Sequence, residues 1–146
     1  RLVCTNASCR FVFYLDPKVA VGTIIRAADS DRVVLVKRAI EPGYGLWVFP
    51  GGYVDRGEEV TLAAVREARE EAGLDIRLDG LVGIYSYAGT VPIIIVYAAT
   101  CIGGELMVDD ENSEVREFEL GDIPWNELAF KSTHEALRDY IDSPRK

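Results

Sequence analysis

One helical window, Glu58 to Ala72 (EEVTLAAVREAREEA), constrains the fold of this chain more than any other stretch. Acids stand at its N-terminal end, where they complement the helix dipole, and Gly73 follows as a stop. At about 100° per residue, Leu62, Val65, Ala68 and Ala72 gather on one side, while Glu67, Glu70 and Glu71 fall on the other within an arc of about 100°. Ala63 shares that acidic arc and leaves it uncrowded. A helix with one apolar side must lay it against a second layer, and the flanking sequence supplies strands for that layer.

Lys18 to Ala28 and Arg32 to Ala39 are β-branched runs around Asp29-Ser30-Asp31, which predicts two antiparallel strands and a polar turn. Glu41 to Gly45 reads as a loop, Leu46 to Phe49 as a short strand, and Pro50-Gly51-Gly52 as a tight turn. Strands are expected at about Ile76 to Tyr87, Pro92 to Cys101 and Glu114 to Leu120, and a closing helix at Ser132 to Ile141. Strands before, between and after helices, without regular βαβ alternation, indicate an α/β fold with a mixed sheet between helices. At 146 residues one compact domain is the default, and 49% hydrophobic residues exclude intrinsic disorder. Internal repeats, low-complexity stretches and linkers are absent from the sequence.

With 16 basic against 24 acidic residues the formal charge is −8, which excludes a general binder of nucleic-acid polymers. If the substrate is nevertheless anionic, the acids must act through a bound cation that inverts the local electrostatics. Three carboxylates on one helical face are ordinarily just solvated. Here a Gly-rich turn lies upstream, and Arg66 stands beside Glu67. Carboxylates packed this closely raise one another's pKa unless a cation holds them ionised, and hard oxygen ligands suit Mg²⁺ or Mn²⁺.

Gly52, Glu58 and the run Arg66-Glu67-Ala68-Arg69-Glu70-Glu71-Ala72-Gly73-Leu74 together resemble the Nudix box, with every fixed Gly, Glu and Arg in place. Ala68 stands where that family prefers a larger aliphatic residue. The resemblance implies an α/β/α sandwich around a mixed sheet. It also implies hydrolysis, with Mg²⁺ or Mn²⁺, of a nucleoside diphosphate linked to another moiety. Carried over by position, it makes Glu67 and Glu71 the principal metal ligands and Glu70 a further ligand or water-positioning base. The Gly51 carbonyl becomes a backbone ligand, and Glu58 and Arg66 orient the cluster. The loop Asp109 to Glu114 is expected to add one more acid as ligand or base, Glu111 first and Glu114 as runner-up. Arg38, Tyr44 and Gly52 are the candidate substrate contacts, Arg38 as a cation for phosphate oxygens.

Beyond the box, Cys9, Tyr14 to Lys18, Lys37 to Pro42 and Gly45 to Pro50 are similar to the Nudix branch with an N-terminal zinc ribbon. Ile123 to Phe130 resembles the tail of ribbon-bearing ADP-ribose and FAD pyrophosphatases. Residues 1–17 then read as half of such a ribbon and 18–146 as the Nudix hydrolase domain. Cys4 and Cys9 form one pair where a tetrahedral site needs four ligands, so zinc is not expected in this chain as given. Cys101 and the sole histidine, His134, read as structural. The expected substrate is ADP-ribose or a dinucleotide such as FAD. A nucleoside triphosphate pyrophosphohydrolase and a non-catalytic nucleotide sensor are the alternatives.

Three cysteines, no apolar run long enough to span a membrane and no signal-peptide plan point to a cytoplasmic protein without membrane partners. The first residue, Arg1, suggests a chain trimmed or cut from something longer. A homodimer fits the resemblance, although no segment marks an interface.

Overall fold

The structure, a computed structural model, describes residues 1–144. Its elements run β1 (Leu2–Val3), β2 (Val12–Phe13), β3 (Lys18–Arg26), β4 (Val33–Arg38), β5 (Trp47–Val48), β6 (Gly51–Tyr53), α1 (Val60–Ala72), β7 (Leu74–Tyr85), β8 (Pro92–Gly104), β9 (Asn112–Phe118) and α2 (Lys131–Asp142). The central sheet has the order β5-β4-β3-β8-β7, with β6 paired to β3 and β9 to β4. Among the named strands of the described residues, β3 and β8 alone run parallel, from Lys18 opposite Pro92 to Arg26 opposite Thr100, so the sheet is mixed as expected.

Strand alternation puts the two helices on opposite faces. Val21 packs with Ala63 and Ala64 of α1, and Ile25 with Ala68 and Ala72. Ile24, between them, belongs to the cluster of Ala136, Leu137 and Tyr140 from α2. Ile24, Ile25, Leu35 and Leu137 are completely buried, each contributing about 1.5–3 kcal/mol by leaving water. Two hydroxyls fasten α2 to the sheet: Tyr85 donates to Asp139 and Tyr87 to Glu135, both at 2.6 Å.

Three readings are refined or corrected. First, β3 and β4 are antiparallel around the turn as expected, but they pair only at Arg26 opposite Val33, because the segment 47–53 wedges between them: β5 joins β4 and β6 joins β3. Second, Gly51 and Gly52 are strand residues rather than a turn. A Cβ on Gly51 would collide with the Val21 carbonyl, so glycine lets this backbone come close to β3. Third, α1 does not bury Leu62 and Val65, which are 58% and 37% exposed. Its buried residues are Ala63, Ala64, Ala68, Glu71 and Ala72, an arc centred on Glu71. Small side chains let α1 lie close to the sheet, and that close seat turns Glu67 and Glu71 toward β6 while Glu70 stays in water.

Other boundaries move by a few residues. Gly73 ends α1 with φ 74°, a left-handed conformation that glycine adopts freely, and β7 begins at once with Leu74. β9 starts at Asn112, so Glu114 lies within the strand and not at its start. The N-terminal hairpin β1–β2 is a separate two-stranded sheet carrying exposed, free Cys4 and Cys9. The backbone of Asn6 and the side chain of Cys9 hydrogen-bond to the Cys4 thiol and hold its pKa below the ordinary value. Among the described residues no helix is long and apolar enough to cross a membrane.

Candidate active site

The site grows from the contact between β6 and α1. Gly52 stands so close to Glu67 that a Cβ there would lie 2.5 Å from Oε1, so the missing side chain admits the carboxylate. One turn on, Glu71 Oε2 accepts the Gly51 N–H at 2.9 Å. Glu71 is 7% exposed, and burial pushes its pKa up to about 8. The Gly51 N–H opposes that rise, while the charges of Glu67, Asp109 and Glu111 add to it. Glu67 is also raised, first by burial, with Arg66 opposing.

Arg66 is the hub that orders this face. Its Nε and Nη2 bind Glu58 at 2.7 and 2.9 Å, and its Nη1 reaches Glu67 Oε1 at 3.0 Å and Glu70 Oε2 at 3.1 Å. Nη2 also donates to the Tyr53 carbonyl at 3.2 Å, which ties the helix to β6. The paired guanidinium lowers the Glu58 pKa to about 2, and the same pairing raises that of Arg66. Glu58 and Arg66 therefore stay charged throughout the physiological range and fix where Glu67 and Glu70 stand.

The third wall is the loop before β9. Carboxylate oxygens of Glu71, Asp109 and Glu111 lie within 4.8 Å of one another. Asp109 Oδ1 accepts the Glu111 N–H at 3.1 Å and Asn112 Nδ2 at 2.8 Å, which folds the loop back onto the cluster. Asp109 was not a sequence candidate; the signal that points to it is an Asp three residues before the strand entry at Asn112, accepting the N–H two residues on as in an Asx turn. Glu114 stands apart from the cluster, bound to Arg116 at 2.7 Å with Lys37 at 4.0 Å. Glu70 is the most open of the box acids, its side chain 54% exposed and held by Arg66 rather than by the Glu71 group.

Arg38 arrives from the end of β4. The next residue, Ala39, donates its N–H to the Glu111 carbonyl at 2.8 Å, so the cation and the acidic loop are tied together. Arg38 Nε donates to the Pro42 carbonyl at 2.7 Å. Tyr44 is 66% exposed in the loop between β4 and β5, and its neighbour Gly45 donates its N–H to the Arg38 carbonyl at 2.8 Å.

This donor set fits a hard divalent cation. A carboxylate as buried as Glu71, beside three other acids, is costly to ionise alone and becomes favourable with a cation among them. Oxygen-only ligands from a helix and a loop match Mg²⁺ or Mn²⁺ chemistry.

Residues 16–141 match the sequence profile of the NUDIX domain. An ADP-ribose pyrophosphatase from Methanocaldococcus jannaschii is 39% identical over 90% of this chain and 78% of its own length. A putative 8-oxo-dGTP diphosphatase from Bacillus subtilis is 36% identical over 59% of this chain and 56% of that protein. The crystal structure of a NUDIX hydrolase from Nitrosomonas europaea superposes with a TM-score of 0.85 at 32% identity, covering 96% of this chain and 77% of that one. The chain belongs to the NUDIX family, and it is a Nudix-type diphosphatase.

Proposed function

We propose that this enzyme hydrolyses the diphosphate of ADP-ribose or of a related dinucleotide such as FAD, releasing AMP and a second phosphate ester with Mg²⁺ or Mn²⁺. The observation that carries the metal requirement is the buried Glu71, gathered with Glu67, Asp109 and Glu111 at the backbone of Gly51 and Gly52. The substrate class is supported by the 39% identity to the archaeal ADP-ribose pyrophosphatase.

In this reading Glu67, Glu71 and Glu111 hold the metal, with the Gly51 carbonyl as a backbone ligand. Asp109 joins them because its oxygens lie in the same group as those of Glu71 and Glu111. A divalent cation held there polarises the phosphoryl oxygens and lowers the pKa of the attacking water. The water's proton goes to Glu70 when Glu111 is a metal ligand and to Glu111 when it is not, since both side chains remain open enough to exchange with solvent. Arg66, clamped by Glu58, holds Glu67 and Glu70 in position. Arg38 binds phosphate oxygens and contributes charge stabilisation as the bridging bond breaks. Tyr44 and Gly52 line the approach: the tyrosine offers an exposed ring, and the glycine offers room.

A second reading is supported by the similarity to the bacterial putative 8-oxo-dGTP diphosphatase: a nucleoside triphosphate pyrophosphohydrolase using the same acids. Product analysis decides between them. The protein is incubated with Mg²⁺ or Mn²⁺ and a panel of ADP-ribose, FAD, NADH, diadenosine polyphosphates and nucleoside triphosphates, and the products are separated by chromatography. AMP with a sugar or flavin phosphate supports the first reading. Nucleoside monophosphate with inorganic pyrophosphate overturns it in favour of the second.

A further inference from the structure

Phe130 stands immediately before α2 with φ 65° and ψ 143°. For a residue with a bulky side chain this is an outlier, beside a region that only glycine enters readily. Burial of the ring does not explain it, because Phe130 is 43% exposed. Its surroundings hold the conformation instead. Ala129 donates its N–H to the Trp47 carbonyl at 2.8 Å, Leu128 bridges Trp47 on the edge of β5, and Ser132 and Thr133 are buried behind it. The fold thus fixes a half-exposed aromatic ring in an unfavourable backbone state, as happens where a side chain must point at a ligand.

The guanidinium of Arg38 lies over the Phe130 ring, 5.1 Å from its centroid. Arg38 is tied through Ala39 to Glu111, so the ring is linked through a short chain of contacts to the acidic cluster. Phe130 also lines a groove of about 500 Å³ together with Trp125, Leu128, Lys131, His134 and Glu135. The groove is shallow and open to solvent, with Trp125, Leu128 and Phe130 as its apolar side and Lys131, His134 and Glu135 as its polar side.

We propose that Phe130 is the stacking platform for the base of the nucleotide substrate, which lies on its ring and enters the groove beside Trp125 while Arg38 faces the phosphates. A flat aromatic base gains from a fixed ring and a neighbouring cation, whereas a sugar gains little from a bare phenyl face. The proposal rests on the nucleotide reading given above and names the residue that would select the base.

The test uses AMP and ribose 5-phosphate, with Mg²⁺, as calorimetric probes on the wild type, Phe130→Gly and Phe130→Tyr. Thermal melts and steady-state kinetics on ADP-ribose accompany them. AMP is expected to bind the wild type and Phe130→Tyr alike and Phe130→Gly about tenfold more weakly, with ribose 5-phosphate unaffected. KM should rise about tenfold in Phe130→Gly while kcat stays within about threefold. Glycine accepts the positive φ, so the melting temperature of Phe130→Gly should stay within about 2 °C of wild type or exceed it. The proposal falls if AMP fails to bind the wild type, if Phe130→Gly binds it unchanged, or if Phe130→Tyr loses as much as Phe130→Gly. It also falls if Phe130→Gly melts many degrees lower and weakens both probes equally, since the ring is then a structural plug. Absence of ADP-ribose hydrolysis alongside ring-dependent AMP binding would refute the reaction reading and leave the subsite standing.

Discussion

Replacing Glu71 by glutamine should make the metal-free protein more stable and the enzyme nearly inactive. In the folded chain Glu71 keeps its proton up to about pH 8, against an ordinary value of 4.5. The folded state therefore holds a proton that the unfolded state releases between these two values. The resulting stability is complete below about pH 4.5 and is lost as pH rises through 8. At pH 7 nearly the whole interval to 4.5 counts against the carboxylate, a penalty of about 3 kcal/mol at 1.36 kcal/mol per unit. Glutamine keeps the shape and an acceptor for the Gly51 N–H, and it offers amide protons to the neighbouring acids. A gain of that order in a chain this size is a rise of about 6–12 °C in melting temperature at pH 7, vanishing near pH 4.5. Millimolar Mg²⁺ should raise the wild-type melting temperature by mass action and leave Glu71→Gln almost unmoved, with chelator reversing the wild-type effect. Turnover of ADP-ribose should fall at least about a hundredfold, or about 2.7 kcal/mol of transition-state stabilisation. A variant that melts below wild type at pH 8 without metal, or one that turns over normally in saturating Mg²⁺, would falsify the reasoning.

Three further outcomes are expected. Glu111→Gln should lose at least about a hundredfold in kcat, and Asp109→Asn should weaken metal dependence, whereas Glu114→Gln stays near wild type; a titration of activity against Mg²⁺ checks all three, and a loss confined to Glu114→Gln would swap the loop assignment. Gly52→Ala should fold but lose about tenfold or more in kcat/KM, because its Cβ would displace the Glu67 carboxylate by several tenths of an ångström; unchanged kinetics with a normal melt would show that Glu67 needs no fixed seat. Tyr85→Phe should cost about 0.5–1.5 kcal/mol in urea melts by removing the hydroxyl's bond to Asp139, which water can then hydrate, with kcat and KM intact; a loss below about 0.5 kcal/mol would remove this hydroxyl from the account of how α2 is held.

The residues gathered at the candidate site were the more legible part of this chain, because their types are demanded by short-range facts. Gly73 ends a helix only if it can turn left-handed, Arg66 and Glu58 find each other within two turns, and Gly52 is glycine because a carboxylate needs the space. What stayed hidden depends on how layers meet. Periodicity identified α1 as a helix with two unlike sides, but which arc sinks is set by how closely the helix seats. Four alanines permit a close seat that the larger Leu62 and Val65 would block, and the buried arc therefore centres on Glu71. Gly51 and Gly52 looked like a turn for the same reason: the composition that frees a backbone to bend also lets it press against β3 as a strand. Asp109 and Phe130 went unmarked because their meaning is tertiary, one through a loop folded back on Glu71 and the other through a backbone angle no sequence pattern reveals. Asp109 lies just before β9, whose first residue pairs with Arg38 at the end of β4, and Arg38 in turn faces Phe130, so the fold brings together residues the sequence scatters between 38 and 130. A helix seated by alanines with an acid at its centre is poorly stabilised without metal, and the same seat brings the acid to the backbone of Gly51. Stability withheld from the metal-free protein is thus the physical counterpart of a site ready to bind a cation.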